Sequence, residues 1–167
     1  MLSPENLIFD KRKIQYCTKR IAYQILESNI NNKEIFLVGI VDNGCVFAKE
    51  IEKILSKITQ IKITILKLKV DKKRPGNKIF LDFNIKNLEN KSVVIVDDVL
   101  NTGLVLSHSL KFLLSVHIEQ IKIAVLVNRE HNKFPVKSDF KGISLSTSVN
   151  ETVKVVLKGK QIGIYLV

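Results

Sequence analysis

The chain is poor in cysteine, in arginine and in long apolar runs, and each shortage closes a class of function. Two cysteines, Cys17 and Cys45, in 167 residues cannot build a disulfide framework. Both fall in predicted helices as small residues expected to be buried in a reducing compartment. The longest apolar runs are strand-length, far short of the ~20 residues that cross a bilayer, so no membrane span is expected. Met1-Leu2-Ser3-Pro4-Glu5-Asn6 has no basic stretch leading into an apolar core, so the expectation is a cytoplasmic chain without a secretory signal. No repeat, linker or low-complexity block is visible, and the length suits one domain over 1–167. The net charge is +11, yet arginine occurs only at positions 12, 20, 74 and 129. Abundant lysine, isoleucine and asparagine fit an AT-rich coding bias. The charge favours polyanions at low salt without by itself marking a nucleic-acid surface.

What is present is alternation. Ile14, Cys17, Ile21 and Ile25 recur at helical spacing and predict an amphipathic helix over about 10–29. A strand at Ile35–Ile40, a helix at Cys45–Ile58 and a strand at Ile61–Leu68 with one wetter face follow. Ser92–Val96, 104–115 and Gln120–Val127 read as strand, helix and strand. Residues from about 142 onward read as short strands, with Gly159 in a turn. The implied class is α/β: a twisted, mostly parallel sheet flanked by helices on both faces, with a short β-rich appended region. One segment, Lys69-Val70-Asp71-Lys72-Lys73-Arg74-Pro75-Gly76-Asn77-Lys78, is irregular and highly charged. His108 and His117 have no metal-ligand spacing.

The most informative stretch is Val93-Val94-Ile95-Val96-Asp97-Asp98-Val99-Leu100-Asn101-Thr102-Gly103. Four apolar residues, all of them β-branched, predict a strand buried on both faces. Two carboxylates follow at once, where a parallel strand emits its ligand-binding loop. Asn-Thr-Gly then leads into a helix from Leu104. Loop amides and a helix N-terminus suit a phosphate, and paired carboxylates suit two ribose hydroxyls.

This block resembles the phosphoribosyl-pyrophosphate (PRPP) signature of type I phosphoribosyltransferases. Leu37-Val38-Gly39-Ile40-Val41-Asp42-Asn43-Gly44 is similar to that family's pyrophosphate loop. Two further stretches, Ala124–His131 running into Phe134–Gly142, and Ser146–Ser148 through Val153–Leu157, resemble one branch, the PyrR-type proteins. Those are uracil phosphoribosyltransferases that also bind RNA as attenuators of pyrimidine operons. The resemblance covers nearly the whole chain.

It implies a type I phosphoribosyltransferase fold, PRPP and a nucleobase as substrates, Mg²⁺, and a homodimer or dimer-based oligomer. Asp97 and Asp98 would be the catalytic pair, holding the ribose hydroxyls and reaching the metal through water. Val41, Asp42, Asn43 and Gly44 would take the pyrophosphate, and Val99, Leu100, Asn101, Thr102, Gly103, Leu104 and Val105 the 5′-phosphate. Lys72, Lys73 and Arg74 sit where the family has a mobile hood. Asn128 and Arg129 are the candidates for the base pocket. His131, Lys133 and Lys137 lie in the segment that the branch uses for RNA. Purine-type members carry Asp at the position of Asn101 and Lys near Asn128, so uracil is preferred. Three positions depart from the pattern: Asn43 and Leu104 stand where the branch has Arg, and Val105 where the family has Thr. Each lost phosphate donor is worth about 1–3 kcal/mol. Two functions therefore stay open: a weakened transferase forming UMP and pyrophosphate, and a degenerate one that senses nucleotide and binds RNA with little turnover.

Overall fold

Runs of Val, Ile and Leu without a polar break form the centre of the sheet, because both of their faces are covered. The computed structural model describes residues 3–148 and 151–167. Met1 and Leu2 of the amino-terminal reading, and positions 149–150 between the two halves of the carboxy-terminal match, lie outside them. The strands of the main sheet are β2 (Glu34–Ile40), β3 (Lys62–Lys69), β4 (Phe80–Leu81), β5 (Ser92–Leu100), β6 (Gln120–Asn128) and β7 (Phe140–Ser144). Their order is β4-β3-β2-β5-β6-β7. All neighbours pair in parallel except β3 and β4.

Side chains alternate across this sheet, as strand geometry requires. Ile35, Leu37, Val94, Val96 and Leu126 share one buried cluster with residues of α1 (Lys11–Glu27) and α2 (Asn43–Ile58), among them Ile21, Ile25, Phe47, Ile51 and Leu55. Phe36, Val38, Val93, Ile95, Ile123 and Val125 share the other with Leu106 and Leu113 of α3 (Leu104–Leu113) and with Leu88. Each such side chain, fully buried, contributes about 1.5–3 kcal/mol of transfer free energy. A second, antiparallel sheet runs in the order β1 (Leu7–Asp10), β9 (Gly163–Leu166), β8 (Val153–Val156). Its Val155 and Ile164 join the cluster on the α1–α2 side.

The connections decide where a ligand can sit. From β2 the chain passes through α2 to β3 on one side. From β5 it passes through α3 to β6 on the other. Adjacent strands whose crossovers depart in opposite directions leave a crevice at their carboxyl ends. That crevice lies between Ile40 and Leu100.

Three expectations need correction, and one strand, β1, was not expected. The strand predicted as Ser92–Val96 runs on to Leu100, so Asp97 and Asp98 stand on β5 rather than beyond it. Its ladder with β6 outlasts the apolar run, pairing Asp97 with Val125 and Leu100 with Asn128. Strand β7 starts at Phe140 and extends the main sheet, where short appended strands from about 142 were expected. Strand β1 is four residues long, too short to show a period. Cys17 is buried, but Cys45 is only half-buried and its thiol donates to Gly39 O at 3.2 Å.

Two glycines let α2 approach the sheet. A Cβ on Gly39 would lie 2.7 Å from Cys45 Cα, and one on Gly44 would lie 2.5 Å from Val96 O and 3.1 Å from Asp97 Cα. The obstacles are backbone atoms, which cannot swing aside. Gly44→Ala is therefore expected to cost about 1–3 kcal/mol, read as a lowered urea midpoint. A midpoint equal to wild type would show that α2 does not bear on β5 at this point.

Candidate active site

The extension of β5 buries Asp97 and leaves Asp98 at the rim. Asp97 is 3% exposed. Its Oδ1 accepts the Asp98 N–H at 2.9 Å, and Asp98 Oδ1 accepts the Val99 N–H at 3.0 Å. Burial, and then the neighbouring charge of Asp98, push the Asp97 carboxyl well above the usual range, while Lys72 opposes them. The Lys72 Nζ lies 3.7 Å from Asp97 Oδ1 and 3.9 Å from Asp98 Oδ1.

The loop from β2 closes the other wall. Asn43, the first residue of α2, donates its amide to Asp98 Oδ2 at 2.7 Å and to Val155 O at 3.1 Å. Its side chain is thus committed to Asp98 and to the small sheet. The amino end of α2 has no side-chain cap, which leaves backbone N–H groups available around Asp42–Gly44. The Val41–Asp42 peptide is cis.

Beyond β5 the chain turns at Gly103, with φ of 86°, and enters α3 without a side-chain cap beyond that glycine. Left-handed backbone suits glycine, and a Cβ there would also meet Phe134 O at 3.3 Å. Thr102 Oγ1 accepts from Leu104 N at 3.3 Å. Lys72, Asp97 and residues 99–106 line one cavity of about 240 Å³. Backbone amides and a helix N-terminus in one cavity with the Asp97 carboxylate match a phosphorylated sugar.

The remaining candidates are placed unequally. Lys73 and Arg74 are exposed, and their backbone N–H groups bond Asp71 Oδ1 at 2.9 and 3.2 Å. Only Lys72 of the three pairs with the carboxylates. Asn128 ends β6 with its Oδ1 buried and unpartnered. Arg129 is 8% exposed, and four of the five N–H groups of its guanidinium are engaged. It donates to Thr147 Oγ1 at 2.9 Å, Asn101 Oδ1 at 3.3 Å, Ser148 O at 3.3 Å and Glu151 O. It ties the 99–105 loop to the 147–151 segment. His131 Nε2 bonds Thr147 O at 2.7 Å. Lys133 and Lys137 are exposed, while Lys133 N and Phe134 N both donate to Thr102 O. Sequence reasoning missed the Asn43–Asp98 bond and the Arg129 clamp. Their partners lie 55 and up to 28 residues apart, and no local pattern reports them.

A phosphoribosyl transferase domain model matches residues 8–158. The chain belongs to the phosphoribosyltransferase family. The bifunctional protein PyrR of Staphylococcus epidermidis is 37% identical over 164 residues, 92% of this chain and 93% of that one. The protein of the same name from Fusobacterium nucleatum is 34% identical over 166 residues, 91% of this chain and 90% of its own. A hypoxanthine phosphoribosyltransferase of Trypanosoma cruzi superposes with a TM-score of 0.81 at 16% identity, covering 96% of this chain and 95% of that one. A hypoxanthine-guanine phosphoribosyltransferase of Bacillus anthracis gives 0.78 at 19%, covering 96% of each. At those identities the likeness is one of fold, and the type I phosphoribosyltransferase fold is the one shared.

Among the described residues no group of three or more His, Cys, Asp or Glu gathers as a metal cage. Two adjacent carboxylates are nevertheless what Mg²⁺ uses when it keeps several waters and takes the rest of its oxygens from substrate phosphates. The residues fit that ion.

The raised Asp97 pKa has a signed consequence. A carboxyl that holds its proton more tightly when folded supports stability fully below its ordinary pKa, near 3.9. That support is lost as pH rises through the elevated folded value. Asn cannot ionise and keeps the acceptor oxygen. Asp97→Asn is therefore expected to melt above wild type at pH 8, with the gap closing as pH falls to about 4. A thermal melt difference independent of pH would contradict the burial argument.

Proposed function

We propose that this chain transfers the phosphoribosyl group of PRPP to a nucleobase, uracil for preference, forming UMP and pyrophosphate. The observation that carries the reading is the Asp97–Asp98 pair at the crevice between β2 and β5, with Asp97 lining the same cavity as Thr102 and the amino end of α3. Such a transfer passes through an oxocarbenium-like sugar and needs no enzyme nucleophile. It needs the ring held and the leaving phosphates neutralised. Asp97 and Asp98 accept from the ribose hydroxyls. The amides of 101–105 hold the 5′-phosphate. Backbone N–H groups at 42–44 and the Lys72 ammonium receive the pyrophosphate, since the Asn43 side chain is bound to Asp98. Mg²⁺, when bound through water to Asp97 and Asp98, supplies further neutralisation of the phosphates. Asn128, paired with Leu100 at the ends of β6 and β5, is the residue assigned to the base. Arg129 acts as a positioning residue, holding Asn101 and the 147–151 segment. The reading extends to one domain over the whole chain, a cytoplasmic setting and a homodimer or dimer-based oligomer.

The test is pyrophosphate release from PRPP and Mg²⁺ with uracil, cytosine, hypoxanthine and guanine. Uracil is expected to exceed the others, and Asp98→Asn to lower kcat/KM at least ~10²-fold with an unchanged circular dichroism spectrum. A purine preferred over uracil would overturn the base assignment.

A second reading, regulation of RNA, is favoured by the exposed Lys133, Phe134 and Lys137 on a segment whose backbone donates to Thr102 O. Occupancy of the phosphate loop and the set of that segment are mechanically linked. Lys133→Ala with Lys137→Ala should then weaken a structured pyrimidine-operon leader far more than a scrambled RNA, and UMP should change the leader affinity. Equal affinities for the two RNAs at physiological salt would leave the transferase reading alone.

A further inference from the structure

A second cavity, of about 450 Å³, gathers four lysines from three parts of the chain. Lys49 and Lys53 come from α2, Lys67 from β3, and Lys158 from the turn between β8 and β9. Spacing of four residues puts Lys49 and Lys53 on one helix face. Asp42 and Glu50 also line the cavity. Glu50 is taken by Lys53 at 2.6 Å, and Lys49, Lys67 and Lys158 make no ion pair among the described residues. All four lysines are exposed. Unneutralised like charges around one hollow repel each other, and a bound polyanion relieves that repulsion.

The cavity adjoins the pyrophosphate-loop side of the candidate active site. Val41 and Asp42 line it and line the neighbouring hollow that holds Asn43, Lys69 and Lys72. In the other direction Ile14, Ile54, Leu157 and Ile162 line the next groove together with Lys11, Lys53 and Lys57. A compact polyphosphate fits the lysine-lined cavity beside Val41 and Asp42.

We propose that this cavity is a second polyphosphate site, which takes inorganic pyrophosphate or the phosphate tail of a nucleotide beside the loop at Val41–Gly44. The identity of the anion rests on the PRPP reading above, because pyrophosphate is what that reaction would release at the loop. Pyrophosphate held here stays within reach of the loop and slows turnover as product accumulates.

Calorimetric titration of the full chain with inorganic pyrophosphate is expected to show two sites. Lys49→Gln with Lys158→Gln should weaken one of them about tenfold and leave the other unchanged. Lys86→Gln with Lys111→Gln, the same charge change on exposed positions elsewhere, should weaken neither. UTP that displaces pyrophosphate from the lysine site identifies a nucleotide tail as an occupant, and failure to displace it assigns the site to the free anion. A single pyrophosphate site in wild type, or equal losses in the two lysine pairs, overturns the proposal. Asp98→Asn separates the claims: it removes PRPP binding if the transferase reading holds, while the lysine site still takes pyrophosphate.

Discussion

The burial of one carboxylate on an otherwise apolar strand is the constraint around which the rest of the structure is arranged. Asp97 faces a desolvation cost that grows with the charge of Asp98 beside it. The fold meets this cost with one backbone amide and with Lys72 at the edge of reach. Both are partial answers. Neither surrounds the pair as a bound cation and a sugar would, so the site favours whatever brings positive charge and hydroxyl donors together. Under the transferase reading, this is how a strand interior becomes a binding site without a nucleophile.

The same constraint reaches outward through two junctions. Asn43 links Asp98 to Val155 of the small sheet, so the antiparallel sheet, which covers the α1–α2 cluster, is also tied to the crevice. Arg129 does the corresponding work on the other flank. Its engaged guanidinium joins Asn101 to the 147–151 segment, and losing it would leave several acceptors unpartnered at once. Residues brought from four separate stretches of chain thus hold the loop after β5 in one shape before any ligand arrives.

Much of this was legible in the sequence, and the reason is physical. Strands buried on both faces must be apolar throughout, so β2, β5 and β6 announce themselves. Helices α1 and α2 must bury one stripe, so Ile14, Ile21 and Ile25 give the period. Asp97, Asp98, Thr102 and Gly103 stand out because carboxylates and a turn glycine next to such a strand have no packing role. What stayed hidden is what depends on contacts distant in sequence. Arg129 reads as a polar strand end that could face a base, and only its partners near 147–151 show it turned to hold the backbone. The extension of β5 to Leu100 is set by pairing with β6, which no local period encodes. Cys45 looks like a core residue in a helix, yet it lies at the amino end of α2, where the helix meets the crevice rather than the core.

The departures at Asn43, Leu104 and Val105 bear on how charge is distributed, and the structure suggests where it has moved. A cation on the pyrophosphate loop would sit fixed beside Asp98. Here that position is a neutral amide that fixes Asp98 instead, and the nearest cation, Lys72, comes from the irregular segment after β3, with its side chain about half exposed. A cation on a loop can follow the charge it neutralises, from carboxylates in the empty site to phosphates in the filled one. A cation on the rim of a helix cannot. Under the transferase reading, neutralisation of the leaving group is thereby shifted from a helix end to an irregular segment, and preorganised charge stabilises a transition state more effectively than charge that must first be brought in.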